Sequence, residues 1–298
     1  MPNPPLPSGA TIRYLPSVWP LKSNAGCYPL NADVGGKGEW ASIPLGPAAD
    51  DNRGVLARFY APALDPRADF PLPEDEARHL TRVLRLGTGA EVAVFDGHGR
   101  EYRALVVEAH RDRAVLRTID ALPAAPEPAV RITVVQAILK GGSMDEAVRD
   151  ATMMGASAIV PVLTAHVDVK PAVAVRAGNA DRWRRVALAA VKQCRRSTLP
   201  HIHEPGPLDA WLAATPLAAR LVFVEPSAPC APAPLKSLLE APVPREAAVL
   251  LGPEGGWSSG ELDGLLQAGC RPVSLGPLTL RAEAMPVAAL AALTVVWG

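Results

Sequence analysis

Two short glycine-bearing segments near the end of the chain have the composition of a ligand-binding site. The first is GPEGG at residues 252–256, and the second is LGPLTLRAE at residues 275–283. Each follows an apolar run that predicts a buried strand, at residues 247–251 and 272–275. The carboxyl ends of parallel strands meet at one edge of a sheet, and glycine lets the backbone approach a ligand closely. The two segments therefore predict one shared pocket contacted by main-chain N–H and C=O groups.

Two clusters of basic residues could bind phosphate or stabilise a developing negative charge. In the first, Arg78, Arg82 and Arg85 recur at i, i+4 and i+7. The second spans residues 181–198, where six of the seven charged residues are positive. Arginine forks match phosphate oxygens, so both clusters predict contact with nucleic acid. The alternatives are a solvated helix face for the first cluster and a favourable helix dipole for the cations that end the second.

Composition excludes several classes of protein. The chain of 298 residues has a formal net charge of zero, so any nucleic-acid contact must come from local clusters. Its four cysteines show no C-x-x-C pairing, which predicts neither a disulfide framework nor a metal site. The longest apolar run, residues 284–297, contains a proline and is shorter than the ~20 residues that span a membrane. We therefore expect a soluble cytoplasmic protein without metal.

Hydrophobic patterns divide the chain into two expected domains. Residues 1–56 show no sustained period and are predicted to be a disordered N-terminal extension. Residues 57–122 predict a small β-barrel that includes one helix starting at Pro73, with Leu80, Val83 and Leu84 on one face. Residues 123–128 form a proline-containing linker. From 129 to 298 strands alternate with helices, which predicts an α/β domain with a mainly parallel sheet.

The glycine segments resemble a known family. GPEGG followed by LG-x-x-x-LR-x-E is similar to the cofactor loops of the SPOUT methyltransferases. HLTRVLR, which begins at His79, resembles the H-L-x-R-V-L-R segment of the bacterial 16S rRNA uridine-N3 methyltransferases within that class. The resemblance covers about residues 57–298. It implies a PUA-like RNA-binding barrel, then a SPOUT domain with a deep trefoil knot. It also implies S-adenosylmethionine as cofactor, 16S rRNA of the small ribosomal subunit as substrate, and a homodimer.

The resemblance also implies roles for individual residues. The expected cofactor-binding residues are Val224, Glu225, Leu251, Gly252, Glu254, Gly255, Gly256, Leu275, Gly276 and Leu280. The expected catalytic residues are Arg196, Arg281 and Glu283. The expected RNA-binding residues are Arg78, His79, Arg82, Arg85, Arg184 and Arg195. An arginine fork would stabilise the charge that develops on the uracil carbonyl oxygens when N3 loses its proton. Glu283 and Glu254 are both candidates for the general base, and bulk hydroxide acting on an activated imide is the third alternative.

Three departures from the family pattern leave other functions open. Arg195 stands where the family usually has glycine, and residues 150–155 read DATMMG in place of K-x-x-E-L-G. Ala282 and Ala284 replace the two threonines of L-R-T-E-T-A. One alternative is a non-catalytic RNA-binding ribosome-assembly factor that keeps the fold. The other is a SPOUT ribose 2′-O methyltransferase, which the PUA-like start and the HLTRVLR segment disfavour.

Overall fold

The computed structural model describes residues 56–167, 178–215 and 219–298. The predicted disordered extension, residues 1–56, lies almost wholly outside the described residues. The N-terminal domain contains β1 (Arg58–Tyr60), β2 (Phe70–Pro71), α1 (Glu74–Arg78), a π-helix (His79–Val83), β3 (Glu91–Phe95), β4 (Glu101–His110) and β5 (Arg113–Leu122). Its strands form one sheet in the order β1-β3-β4-β5-β2.

This five-stranded sheet curls around a small apolar core. Phe59, Phe70, Leu80 and Leu116 are fully or almost fully buried in it. The strands β3, β4 and β5 form an antiparallel meander, which the turn residues between them predict. The edge strands β1 and β2 are not paired with each other in the described residues, so the predicted barrel is an open, curled sheet.

The helix that follows β2 differs from the predicted one. It begins as α1 after Pro73, as expected, but continues as a π-helix in which the N–H of Leu84 donates to the carbonyl of His79. A π-turn contains an extra residue, so side chains no longer repeat at the α-helical angle. Leu80 is buried, whereas Val83 is 65% exposed and Leu84 41% exposed. The prediction that these three residues share one face is therefore wrong.

The C-terminal domain alternates strands and helices as its hydrophobic pattern predicts. Its elements are β6 (Arg131–Ala137), α2 (Ser143–Met153), β7 (Ala158–Leu163), α3 (Asn179–Cys194), β8 (His201–Ile202), β9 (Gly206–Pro207), α4 (Leu208–Ala214), β10 (Arg220–Phe223), β11 (Ala233–Pro234), a 3₁₀-helix (Leu235–Glu240), β12 (Glu246–Leu251), α5 (Ser259–Gln267), β13 (Arg271–Ser274), a second 3₁₀-helix (Ala282–Ala284) and α6 (Met285–Trp297).

The strands of this domain form a sheet in the order β11-β13-β10-β12-β6-β7-β8, and β9 also pairs with β7. All these pairings are parallel, which confirms the predicted α/β class. Two buried apolar clusters include alternate residues of the central strand β12: Val249 and Leu251 belong to one, Leu250 to the other. Both faces of the sheet are therefore covered, as expected for a parallel sheet. The trefoil knot stays a prediction.

Ion pairs and hydrogen bonds join the two domains. Arg58 of β1 pairs with Glu101 and donates to the carbonyl of Arg196 at 2.6 Å. Lys192 of α3 pairs with the buried Glu76 of α1 at 2.8 Å. The turn between β3 and β4 continues this contact, because the N–H of Leu199 donates to the carbonyl of Gly97. The angle between the domains is thus fixed by charged groups and by backbone.

Candidate functional site

Three adjacent parallel strands end beside one cavity. Strand β10 lies between β12 and β13, so their carboxyl ends are neighbours. The segments after these ends enclose a cavity of about 730 Å³. Nine of the ten predicted cofactor-binding residues line it: Val224, Glu225, Gly252, Glu254, Gly255, Gly256, Leu275, Gly276 and Leu280. The tenth, Leu251, is not among the lining residues and is fully buried at the end of β12.

The glycines of residues 252–256 are required by their surroundings. A Cβ at Gly252 would lie 3.2 Å from Nε1 of Trp257, and one at Gly255 would lie 2.9 Å from Cβ of His166. Gly256 has a φ of 69°, which is in the left-handed region. Trp257 in turn donates its indole N–H to the carbonyl of Phe223 at 3.2 Å. Sequence reasoning missed Trp257, although its place directly after the glycine pair was a usable signal.

Glu254 lines the cavity but its carboxylate already has a partner. Its Oε1 accepts a hydrogen bond from the backbone N–H of Lys140 at 3.0 Å. Lys140, between β6 and α2, and Ser143, the first residue of α2, also line the cavity. The carboxylate therefore fastens a fourth segment to residues 252–256. This geometry fits a local capping role for Glu254 better than a role as general base.

Arg281 and Glu283 lie together at the wall of the cavity. Their side chains form an ion pair at 3.6 Å, and both residues line the cavity. The Arg281 side chain is 88% exposed, whereas that of Glu283 is 19% exposed. An exposed guanidinium held weakly beside a cavity is available to a second ligand. The structure thus places two of the three predicted catalytic residues where a substrate could reach them.

Arg196 lies in different surroundings. Its guanidinium pairs with Glu127 at 2.5 Å and donates to the carbonyls of Thr152 and Ala156 at 2.7 and 3.2 Å. The residue is buried and is not among those that line the cavity. Arginine has five N–H donors, and these contacts use most of them. Within one chain the geometry gives Arg196 a structural role, contrary to the expectation that it contacts the substrate.

The predicted RNA-binding residues differ in how free their charges are. Arg78, His79, Arg82 and Arg85 are exposed around the π-helix. Arg184 is paired with both Asp181 and Glu204 at 2.7 Å. Arg195 is exposed and ends α3 with a φ of 64°, a conformation usual for glycine at that position. Arg184 is therefore the least available member of the predicted set.

In the three described ranges, no group of three or more histidine, cysteine, aspartate or glutamate side chains is arranged to hold a metal ion. None of the helices seen in those ranges combines the length and apolar character needed to cross a bilayer.

Family models match both domains. A model described as an RNA methyltransferase domain matches residues 126–294, and one described as an RNA methyltransferase PUA domain matches residues 72–119. Ribosomal RNA small subunit methyltransferase E of Synechocystis is 32% identical over 228 residues, which cover 75% of this chain and 72% of the relative. The protein of the same name from Mycobacterium bovis is 32% identical over 252 residues, which cover 81% and 92%.

Solved structures agree with these matches. Ribosomal RNA small subunit methyltransferase E of Neisseria gonorrhoeae, bound to S-adenosyl methionine, is 29% identical with a TM-score of 0.71, covering 82% of this chain and 98% of that one. A methyltransferase of Legionella pneumophila, in complex with bound SAM, is 27% identical with a TM-score of 0.73, covering 80% and 97%.

Proposed function

The chain belongs to the family of ribosomal RNA small subunit methyltransferases E, and we propose that it transfers a methyl group from S-adenosylmethionine to N3 of a uridine in 16S rRNA. The observation that carries this proposal is the cavity at the ends of β10, β12 and β13, which is lined by nine of the ten residues expected to hold the cofactor. The S-adenosylmethionine found in the Neisseria and Legionella structures supports the choice of cofactor.

The cavity suits S-adenosylmethionine in size and in chemistry. Its volume of about 730 Å³ falls in the range typical of cofactor sites, and most of the residues that line it are glycines or apolar residues. Main-chain groups of Gly256, Leu275 and Leu280 would supply hydrogen bonds to polar groups of the cofactor. The carboxylate of Glu225, beside Gly256, would accept hydrogen bonds from hydroxyl groups. The bound cofactor supplies an activated methyl group, so the protein has mainly to orient the reactants and exclude water.

Arg281 is the residue that would face the acceptor base. N3 lies on the pairing edge of uracil, so the base must be unpaired before it can react. Loss of the N3 proton leaves negative charge on the neighbouring carbonyl oxygens. The exposed Arg281 guanidinium would donate to them as that charge develops. Glu283, held beside Arg281, would accept the proton.

RNA would be held by the π-helix and the neighbouring β4–β5 turn. Arg82, Arg85 and Arg111 are exposed, and Thr81 Oγ1 donates to the carbonyl of Arg111, which brings the turn against the helix. Arg85 and Arg111 have φ values of 55° and 47°, in the left-handed region that is usual where a helix ends and in a tight hairpin turn. The exposed Val83 and Leu84 lie between these charges in the sequence. We call residues 78–85 with Arg111 the basic surface; it would contact phosphates and unstacked bases.

A homodimer and a cytoplasmic location complete the proposal. Helix α6 is almost entirely apolar, yet Val295 is 84% exposed on it. Val287 and Ala291 are exposed on the same face as Val295, at i and i+4 to its i+8, and a contiguous exposed apolar face is typical of protein–protein contacts. A second copy of the chain would cover this face, and the rRNA substrate would be met in the cytoplasm.

The test is methyl transfer from labelled S-adenosylmethionine to small ribosomal subunits that lack native modifications. The expected product, identified by mass spectrometry of nucleosides, is N3-methyluridine. A ribose-methylated nucleoside would instead favour the 2′-O methyltransferase. Cofactor binding without label in RNA would point to another substrate, and no cofactor binding would favour the non-catalytic assembly factor.

A further inference from the structure

The segment that follows β7 is hydrogen-bonded to the glycine-rich segment of the cavity wall, residues 252–256. Nδ1 of His166 lies 3.1 Å from the carbonyl oxygen of Gly255 and 3.2 Å from that of Gly256. Both neighbours are acceptors, so Nδ1 must carry the proton in this contact. His166 is not among the residues that line the cavity, whereas Gly255 and Gly256 are. The imidazole therefore acts on the cavity wall and not on its contents.

A second contact holds the same segment in place. The backbone N–H of Ala165 donates to Oε1 of Glu261 at 2.6 Å. Oε2 of Glu261 accepts from the N–H and the hydroxyl of Ser258, which completes the capping box at the start of α5. One carboxylate thus caps the helix and fixes the backbone directly before His166. The hydrogen bond of Ala165 to Glu261 therefore holds the backbone next to His166, whose ring contacts the two glycine carbonyls.

His166 packs closely against Gly255. A Cβ at Gly255 would lie 2.9 Å from Cβ of His166 and 3.4 Å from its carbonyl oxygen. The close approach that places Nδ1 within reach of both carbonyls therefore depends on glycine at 255. The peptide plane between these two glycines is also held by a turn, because the N–H of Gly256 donates to the carbonyl of Pro253 at 3.0 Å. His166 adds a second constraint on that plane through the Gly255 carbonyl and also contacts the carbonyl of Gly256.

We infer that His166 is a positioning residue that fixes the orientation of the Gly255 and Gly256 carbonyls and so the main-chain groups that meet the cofactor. This inference rests on the proposed function. A histidine that only orders the cofactor site should affect cofactor affinity and leave the chemical step unchanged. The substitution His166→Asn should restore the contact, because the amide nitrogen of asparagine is a donor that reaches the position of Nδ1.

The experiment measures S-adenosylmethionine binding by calorimetry, and KM and kcat for methyl transfer, in the wild type, His166→Ala, His166→Asn and the matched control His110→Ala. His110 is an exposed histidine at the end of β4, in the other domain. We expect His166→Ala to raise Kd and KM for S-adenosylmethionine about tenfold with kcat within about twofold of wild type. His166→Asn should recover most of the affinity, and His110→Ala should match wild type.

Several results would overturn the inference. Unchanged cofactor affinity in His166→Ala, or an equal loss in His166→Ala and His166→Asn, would show that the Nδ1–H donor does not determine the geometry of the cofactor site. A fall in kcat alone would place His166 in the chemical step. Thermal unfolding of each variant identifies a loss that comes from misfolding. Failure of the wild type itself to bind S-adenosylmethionine would refute the proposed function and is distinguishable from all of these.

Discussion

The two basic clusters look alike in sequence but differ in what their cations contact. Four of the six cations in the α3 cluster are paired with acids: Arg182 with Asp145, Arg184 with Asp181 and Glu204, Lys192 with Glu76, and Arg196 with Glu127. In the π-helix cluster Arg78 pairs with Glu74 at 3.4 Å, and no ion pair is found for Arg82 or Arg85 within the described residues. Positive charge is therefore available to RNA in the first cluster of the chain and mostly neutralised in the second.

The partners of the α3 cluster explain why sequence reasoning treated the two clusters alike. Glu76 lies 116 residues from Lys192, and Glu127 lies 69 residues from Arg196. Ion pairs between residues so far apart in the sequence cannot be predicted from the local pattern of charges. A run of arginines thus indicates a nucleic-acid surface only when the tertiary structure leaves it without acidic neighbours.

The largest expected effect comes from Arg196. Arg196→Ala would strand two buried carbonyl oxygens and the Glu127 carboxylate, and should lower the free energy of unfolding by about 3 kcal/mol. Chemical denaturation measures this. Arg185→Ala, which removes an exposed arginine of the same helix, should change stability by less than about 0.5 kcal/mol. If Arg196→Ala kept full stability but lost methyl transfer, Arg196 would have a role in substrate contact, and the contrast between the two clusters would be wrong.

Lys192 provides the next test. Lys192→Met would leave the Glu76 carboxylate, whose side chain is 5% exposed, without its cation, and should cost about 2 kcal/mol of stability. Adding Glu76→Gln to Lys192→Met should recover part of that loss, because a neutral amide is cheaper to bury. Additive losses in the double variant, again by denaturation, would show that this ion pair does not couple the two domains.

The N-terminal domain also contains a buried carboxylate paired with an arginine, Asp96 with Arg100. Burial raises the pKa of the Asp96 carboxyl, but the Arg100 guanidinium and the backbone N–H groups of His98 and Arg100 more than offset this, so the pKa lies below its ordinary value. A carboxyl with a lowered pKa in the folded state contributes stability above its unfolded pKa of about 4. That stability is lost as pH falls through the folded pKa.

Asp96→Asn should therefore cost about 1.5 kcal/mol at neutral pH and flatten the loss of stability in acid. Denaturation at a series of pH values measures both effects. Arg113→Gln is the control, since Arg113 lies 3.9 Å from Glu108 and both side chains are mostly exposed. An Asp96→Asn protein with the acid sensitivity of the wild type would show that this carboxylate is not among the groups responsible.

Local sequence predicted the elements of this fold well. The S-x-x-E spacing of Ser258 and Glu261 predicts a capping box, and the structure contains it, because capping depends on residues three apart. The strands that end at Leu251 and Ser274 were predicted to within a residue from short apolar runs. The exposure of Val83 could not be predicted, because a π-turn is set by tertiary contacts and leaves the α-helical pattern of the sequence unchanged.

The candidate site could be predicted in part. Glycine segments that follow strands are local signals, and they located the cavity. The partners of Glu254 and His166 could not be foreseen, since each bridges segments 89 or more residues apart. The burial of Arg196 was hidden for the same reason: its acceptors, on Thr152 and Ala156, are backbone groups that carry no sequence signal.

The most direct measurement compares two charge-matched double variants in methylation of small ribosomal subunits at saturating S-adenosylmethionine. Arg82→Gln with Arg85→Gln removes two exposed charges of the basic surface, and Arg182→Gln with Arg184→Gln removes two paired charges of α3. We expect the first to lower kcat/KM for the subunit at least tenfold without changing cofactor affinity, and the second to stay within about twofold of wild type. Equal losses in both variants, or a larger loss in the α3 variant, would contradict the assignment of RNA binding to the basic surface.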